Sequence, residues 1–235
     1  MQPDLRFLKQ TALFRGLTED EIACVLRCFS ARTVRFAKNA FILRAGDAVT
    51  DVGLVLEGSV HVVKEDFWGE RTLVTVLGEG ELFGESFAAA RAETLPVSVI
   101  AAEPSGILLL DFRNLITPCG SACSFHAHLI GNLLGILAAR NLMLNRKLEH
   151  LSMRTIRRKL LSYLSEQAVL HNSRRFRIPY NRQQLADYLG VDRSALSAEL
   201  GKMRREGLLS FHRQEFELLR KPPEAPAMFA GLEAP

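Results

Sequence analysis

The residues best suited to chemistry lie between Arg182 and Leu209, in RQQLADYLGVDRSALSAELGKMRREGLL. Leu185, Tyr188 and Leu189 fall at helical spacing and predict one buried stripe. Gly190 then breaks the period where a tight turn would sit, since glycine alone takes a positive φ freely. Asp192 suits the N-cap of a second helix, because its carboxylate can accept from first-turn amides that otherwise lack partners. Leu196, Leu200 and Met203 continue the apolar side of that helix. Short helix, glycine turn and capped helix make the helix-turn-helix pattern, whose second helix lies in the DNA major groove. Turn spacing, cap and basic surroundings together favour this over an ordinary helical hairpin.

Two other constellations carry chemistry. Cys119-x3-Cys123-x2-His126, with His128 beyond, and Cys24-x3-Cys28 place thiols at i and i+4, on one face of a helix. Zinc or an iron–sulfur cluster could use such sets. The spacings match no common zinc finger, and free cysteine is often a small buried hydrophobe. A metal- or redox-responsive role for Cys119, Cys123 and His126 and a plain core role both stay open. Gly84-Glu85-Ser86 follows a strand and opens a short helical stretch, where backbone amides favour anions; Glu85 can equally cap the local turn. His61 alternates within a strand and reads as a packed or surface residue. The chain has no Gly-x-Ser-x-Gly, no phosphate-binding loop, no His-Glu-x-x-His and no dinucleotide fingerprint. Nothing places an acid, a base and a nucleophile together, so an enzyme is not expected.

The elements that must hold these groups follow from patterning. A chain of 235 residues with 48% apolar and 24% charged content has room for two globular domains. Residues 1–139 hold 12 Lys+Arg against 16 Asp+Glu, a net of −4; residues 140–235 hold 18 against 10, a net of +8. That asymmetry suits a protein that grips phosphates with one end, although a solvated basic surface is the plainer reading. No uninterrupted apolar run approaches the ~20 residues of a membrane helix. The start, MQPDLRFLKQ, lacks the apolar segment of a secretory signal. A cytoplasmic chain with no membrane partner and reduced cysteines is therefore expected.

Residues 4 to 30 read as helices, with a capping box in which Thr18 is the N-cap and Glu21 the third helical residue. From Thr33 to about Phe112 the period changes to two, in short runs broken by glycine and aspartate, which suggests a small antiparallel barrel or jelly roll. Gly58 in VLEGSV is expected at a hairpin turn, and Trp68-Gly69 at a loop tip. From Ser121 to Leu151 one long helix is expected. Ile130, Leu134, Leu137, Asn141, Leu144, Leu148 and Leu151 step by four and three, the a/d seam of a parallel coiled-coil dimer, with Asn141 fixing its register. The alternative is a stripe that packs on its own barrel; about 45 Å of helix is longer than a small barrel covers. Met153 to Leu170 reads as another helix and Asn172 to Arg177 as a polar, basic turn. Gly207 to Leu218 reads as a short hairpin, and residues 222–235 as a frayed tail.

This order of parts resembles the Crp–Fnr superfamily of bacterial transcription regulators, over about Leu13 to Leu219. Its most specific pieces are FGES (Phe83 to Ser86), the heptad helix and NRQQLADYLGVDRSALSAELGKMRREGLL. The resemblance implies an α+β chain: a jelly-roll sensor domain of cyclic-nucleotide-binding type (residues 1–120), a dimerisation helix (121–152), a winged helix-turn-helix (153–221) and a flexible tail (222–235). It implies a homodimer on a near-palindromic operator in double-stranded DNA, in contact with RNA polymerase, its paired helices relaying a signal from the barrel.

Carried over residue by residue, the match is incomplete. Nucleotide-binding members follow Gly-Glu, after the short helix, with an Arg-Ser that grips the cyclic phosphate. Here Gly84, Glu85 and Ser86 keep the first half, but Leu95 and Pro96 stand where Arg-Ser belongs. Leucine and proline bring no positive charge, and proline brings no amide. Cyclic AMP is therefore not expected as ligand. The effector stays unidentified, with an apolar or aromatic small molecule one possibility, and Asn141 is placed as a pocket contact as well as a register device. In the second helix Arg193, Ser194, Ser197 and Ala198 match base-reading positions, with the Arg193 fork suited to guanine O6 and N7. The resemblance gives no operator sequence, because Ser194 and Ala198 replace the Glu and Arg of members with the best-known half-site. Arg182, Lys202, Arg204, Arg205 and Arg213 are assigned to phosphates, which position without specifying; surface ion pairs are their plainer reading.

Overall fold

The structure is a computed structural model and describes residues 3–48, 50–90, 92–116 and 124–219. The chain divides into two compact units, Met1–Ala139 and Arg140–Pro235.

In the first unit, α1 (Leu5–Gln10) starts at Asp4, which accepts from the Arg6 amide at 2.9 Å. The capping box expected at Thr18 opens α2 (Glu19–Cys28). Thr18 Oγ1 accepts from the Glu21 amide at 3.3 Å, and Glu21 Oε2 accepts from the Thr18 amide at 2.8 Å. Two antiparallel sheets follow. One has the order β1 (Arg32–Phe36), β8 (Ser105–Asp111), β3 (Asp51–Glu57), β6 (Leu82–Phe83). The other has the order β2 (Phe41–Leu43), β7 (Ser98–Ala101), β4 (Val60–Glu65), β5 (Arg71–Leu77). Alternation sends Val55, Ile107 and Leu109 toward Val60, Leu77 and Val99 of the second sheet. It sends Val52, Leu54, Leu108 and Leu110 toward Leu8, Ile22, Val25 and Phe29 of the helices. With both faces covered, β8 reads as a continuous apolar run, GILLL.

Gly58 is not the tip of a hairpin. It has φ +81°, as a sharp turn requires, but the strands that it joins pair with other partners: β3 with β8 and β6, β4 with β5 and β7. The turn carries the chain from one sheet to the other. A Cβ there would meet Ser105 Oγ at 2.7 Å and the Pro104 carbonyl oxygen at 2.8 Å. The expected loop tip at Trp68-Gly69 closes the β4–β5 hairpin, with Phe67 92% and Trp68 84% exposed. In β3, Gly53 faces Phe83 of β6, whose ring fills the space where a Cβ would stand.

The long helix α5 runs Ser124–Ser152, 29 residues; Ser121 to Cys123, included in the expected helix, lie outside the described residues. Leu129 and Leu133 are buried in the core of the first unit, with Phe125, Ile136 and Leu137 partly buried against it. Asn132 Nδ2 donates to the carbonyl oxygens of Leu13 and Arg15, both at 2.8 Å. A second stripe faces outward. Of the expected seam, Leu134, Leu144 and Leu148 are 61%, 58% and 63% exposed. Asn141 is exposed too, while Ile130, Leu137 and Leu151 are half-buried. By length and composition alone Phe125–Ser152 is apolar enough to cross a membrane, although Asn132, Arg140 and Asn141 interrupt its apolar run. Its first half is instead a core helix of the first unit.

The second unit has the order α6 (Ile156–Leu170), β9 (Arg175–Arg177), α7 (Arg182–Leu189), α8 (Arg193–Arg205), β10 (Leu209–His212), β11 (Glu215–Leu218). The helix expected from Met153 begins at Ile156, because Thr155 takes the N-cap and accepts from the Arg158 amide at 3.2 Å. The turn expected over Asn172 to Arg177 contains a strand. Phe176 points into the core between two exposed arginines, and β9 pairs with β11 to make the hairpin a three-stranded β10-β11-β9 sheet. Around Leu160, Leu164, Leu185, Leu189, Leu196 and Leu200, all fully buried, the three helices share one core. His150, at the end of α5, is 2% exposed; hydrogen bonds link its Nδ1 to Ser162 Oγ (2.9 Å) and its Nε2 to Glu166 Oε2 (2.8 Å) of α6.

Candidate nucleic-acid interface and effector site

The helix-turn-helix is built by caps at three points. Asn181 Oδ1 accepts from the Gln184 amide at 2.9 Å, and Gln184 Oε1 accepts from the Asn181 amide at 2.8 Å, a capping box that opens α7. Gly190 closes α7 at φ +58°, its amide donating to the carbonyls of Ala186 and Asp187. Asp192 then opens α8, its Oδ1 accepting from the Ala195 amide at 2.9 Å and from the Ser194 hydroxyl. Those donors, the Ser194 hydroxyl foremost, hold the Asp192 carboxyl below the usual aspartate range.

Leu196, Leu200 and Met203 have no exposed surface, which turns the opposite face of α8 outward. On that face Arg193, Ser194, Ser197, Ala198 and Lys202 are exposed, with Arg204 and Arg205 beyond them. The structure therefore gathers the residues singled out in the second helix on one open surface. Arg182 differs. It is half-buried, stacked on the wing rings of Phe211 and Phe216, and burial draws its pKa below the usual guanidinium value.

Cations that the sequence left among the general basic surroundings have structural work instead. Arg157 Nε donates to Glu199 at 2.6 Å, and its two terminal nitrogens bridge to Glu206 at 2.8 and 2.9 Å. This fork ties α6 to α8, and the two carboxylates push the Arg157 pKa up. Lys159 Nζ donates to the Leu189 carbonyl at 2.8 Å, at the end of α7 where a cation also suits the helix dipole. The Asn181 box was not read from the sequence, although its Asn-x-x-Gln spacing is the signal for it; the long-range partners of Arg157 and Lys159 leave no such signal.

In the first unit Gly84 has φ +83° and precedes α3 (Glu85–Ala89), five residues long. A Cβ at Gly84 would stand 3.2 Å from the Asp51 carbonyl oxygen, so the residue is held to glycine by conformation and by space. Glu85 is 1% exposed, and the exposed Ser86 donates its hydroxyl to Glu85 Oε1 at 3.1 Å. Leu95 is 2% exposed. Its amide donates to the Asp47 carbonyl and its carbonyl accepts from the Gly46 amide, both at 2.9 Å, while Pro96 is exposed. Leu95 is thus a core residue of the barrel. An open cavity of 490 Å³ lies elsewhere, lined by Leu5 of α1, Leu26 and Arg27 of α2, Ser30, Thr33 and Leu108. Asn141 accepts from Asn145 Nδ2 at 2.8 Å along α5.

Cys119 and Cys123 lie outside the described residues. His126 is 5% exposed, meets Phe29 edge-on at 5.0 Å between ring centroids, and hydrogen-bonds the Asn114 carbonyl through Nε2 at 3.1 Å. Cys24 is half-buried and Cys28 exposed on α2. Among the described residues no three His, Cys, Asp or Glu side chains come together as a metal site.

A double-sheet roll followed by a capped helix-turn-helix with a β wing defines a two-part DNA-binding protein. Comparison with known proteins gives the family. Residues 33–117 match the model of the cyclic nucleotide-binding domain, and residues 158–222 that of the Crp-like helix-turn-helix domain. The chain belongs to the Crp–Fnr superfamily, whose members are DNA-binding transcription regulators and not enzymes. It is 28% identical over 202 residues to the cyclic AMP receptor protein of Thermus thermophilus, covering 86% of this chain and 89% of that one. The solved catabolite activator protein of Thermus thermophilus shares the fold at TM-score 0.53 and 23% identity, covering 88% of this chain and 93% of that chain. So does the c-di-GMP responsive regulator CLP of Xanthomonas campestris, at TM-score 0.51 and 19% identity, covering 85% and 100%.

Proposed function

We propose that this chain is a homodimeric, sequence-specific regulator that reads a near-palindromic operator under the control of an effector other than cyclic AMP. The exposed face of α8 carries the reading. Arg193 supplies a bidentate fork for guanine, Ser194, Ser197 and Ala198 line the base edges, and Lys202, Arg204, Arg205 and Arg213 take phosphates. Ser194 can accept from a base edge while it donates to Asp192, and can donate to one only by releasing that carboxylate. The outward stripe of α5, through Leu134, Leu144 and Leu148, supports pairing with a second copy, and Asn141 sets its register once it exchanges Asn145 for its mate. Two-fold symmetry then matches the symmetry of the operator. Residues 1–120 sense, 121–152 pair and 153–221 bind DNA; the tail expected over 222–235 lies outside the described residues. The family supports a cytoplasmic setting and contact with RNA polymerase.

In the sensor, the effector site is assigned to Gly84, Glu85, Ser86 and Pro96, with Leu95 buried behind them and closed to the ligand. The burial of Leu95 supports the exclusion of a cyclic phosphate, since this position offers the ligand neither charge nor donor. Selection of bound sequences from a random duplex pool tests the DNA reading. An inverted repeat with half-sites about one helical turn apart is expected, and Arg193→Ala should lose ~1–3 kcal/mol of discrimination at one base pair. A pool that never enriches overturns the function, and an unchanged preference in Arg193→Ala overturns that residue's role. Calorimetric titration with cyclic AMP should show no saturable heat; tight binding would overturn the effector reading.

A further inference from the structure

Three aromatic residues of the wing sheet stand outside the contacts just assigned. Phe176, Phe216 and Phe211 are direct cross-strand partners on β9, β11 and β10. Their rings stack in that order, with centroids 6.5 Å apart at 13° and then 5.8 Å apart at 27°. His171, the C-cap of α6, stacks on Phe176 at 6.0 Å and 5° and closes one end of the ladder. At the other end two guanidinium groups lie over a single ring. Arg182 Cζ is 5.0 Å and Arg204 Cζ 5.1 Å from the Phe211 centroid.

Arg182 is the first residue of α7 and Arg204 lies in the last turn of α8, so one wing residue gathers a cation from each helix of the motif. Two like charges drawn to one ring repel each other, and the negative face of the ring offsets that repulsion. Glu199 and Glu206 of the same helix region are engaged by Arg157. Arginine side chains are otherwise long and mobile, and a planar fork held by stacking loses less freedom when it meets an anion. Two guanidinium groups held on one ring offer paired positive charge to a polyanion.

We propose that Phe211 is a positioning residue that holds Arg182 and Arg204 as a paired clamp on the sugar–phosphate backbone of DNA. The inference rests on the DNA-binding reading and adds the device by which the wing contributes to it. The clamp contributes affinity and no sequence preference.

The test is equilibrium binding of the full-length protein to random-sequence duplex DNA across a salt series, since phosphates supply nearly all of that affinity. Phe211→Leu fills the wing without a π face; Phe211→Tyr keeps the face. The Leu variant should bind about tenfold more weakly at low salt, with the slope of log K against log salt reduced by about 1–2, and the Tyr variant should match wild type. Arg182→Gln should cost much less in the Leu background than in wild type, because the ring and the guanidinium act as a unit. An unchanged slope in a Leu variant that melts like wild type overturns the clamp, and so do strictly additive losses. Should the Leu variant unfold the wing, Arg182→Gln and Arg204→Gln singly and together give the same decision with the ring intact: coupled losses support the clamp and additive ones overturn it. Wild type that binds no duplex at any salt removes the DNA-binding reading and the clamp together, whereas wild-type binding unaltered in the Leu variant removes the clamp alone.

Discussion

At the start of α8, the Asp192 carboxylate accepts from Ser194 and Ala195 within the same turn of chain. At Leu95 the backbone bonds run instead to Gly46 and Asp47, across the barrel sequence, and the side chain disappears into the core. The first region presents its working groups outward, on a scaffold assembled from neighbours. The second is shaped by residues remote in sequence, and what it offers a ligand depends on what they cover. The difference teaches where function is encoded: in the DNA-binding unit by which residues are left exposed, in the barrel by which residues are taken out of reach.

The sharpest way to break the comparison is Leu95→Arg. If that position were an open ligand contact, arginine would be tolerated and would create affinity for a cyclic phosphate. Because the side chain is buried, the expected result is destabilisation of the barrel by about 3–5 kcal/mol, the cost of an uncompensated buried charge, with no gain of cyclic AMP binding. Denaturant unfolding and calorimetry on the same variant read both.

Leu200→Ala and Leu54→Ala test whether the two regions also stand apart in stability. Each removes a fully buried leucine, from the core of the second and the first unit respectively, and should cost about 2–5 kcal/mol. Two resolved calorimetric transitions are expected, each variant lowering a different one. A shift of both by either variant would show one cooperative body.

The local region of the comparison was legible, and for a physical reason. The Thr18–Glu21 box, the Gly190 turn and the Asp192 cap satisfy backbone amides within three or four residues, so residue type and spacing suffice. Gly58 was misread because a positive φ marks a turn but not which strands pair beyond it; β3 and β4 each choose partners remote in sequence. The strand β9 escaped notice because a single buried Phe176 between two arginines is too short an alternation to show a period. The stacked rings of the wing depend on cross-strand register and the fork of Arg157 on helix packing, neither of which a single sequence displays.

Asp192→Ala gives the next smaller effect. Losing the cap should destabilise the second unit by about 1 kcal/mol and leave the barrel transition in place. A change of pH should have the smallest effect. The folded-state carboxyl of Asp192 is held below its usual range, so its contribution is present above the unfolded aspartate pKa near 4. That contribution fades as the pH falls through the lower folded value. Acid titration of wild type should therefore show a shallow loss of α8 stability that Asp192→Ala lacks. Equal acid sensitivity in the two would place the effect elsewhere.

Gly53 and Phe83 carry a consequence for descent. The ring occupies the volume of the missing Cβ, so neither position can drift alone: a side chain at 53 collides with the ring, and a smaller residue at 83 leaves a hole against bare backbone. Lineages of this protein should change the two sites together or not at all. Phe83 adjoins Gly84 in sequence, so the history of the turn that opens α3 is bound to that of a strand on the far side of a sheet ladder.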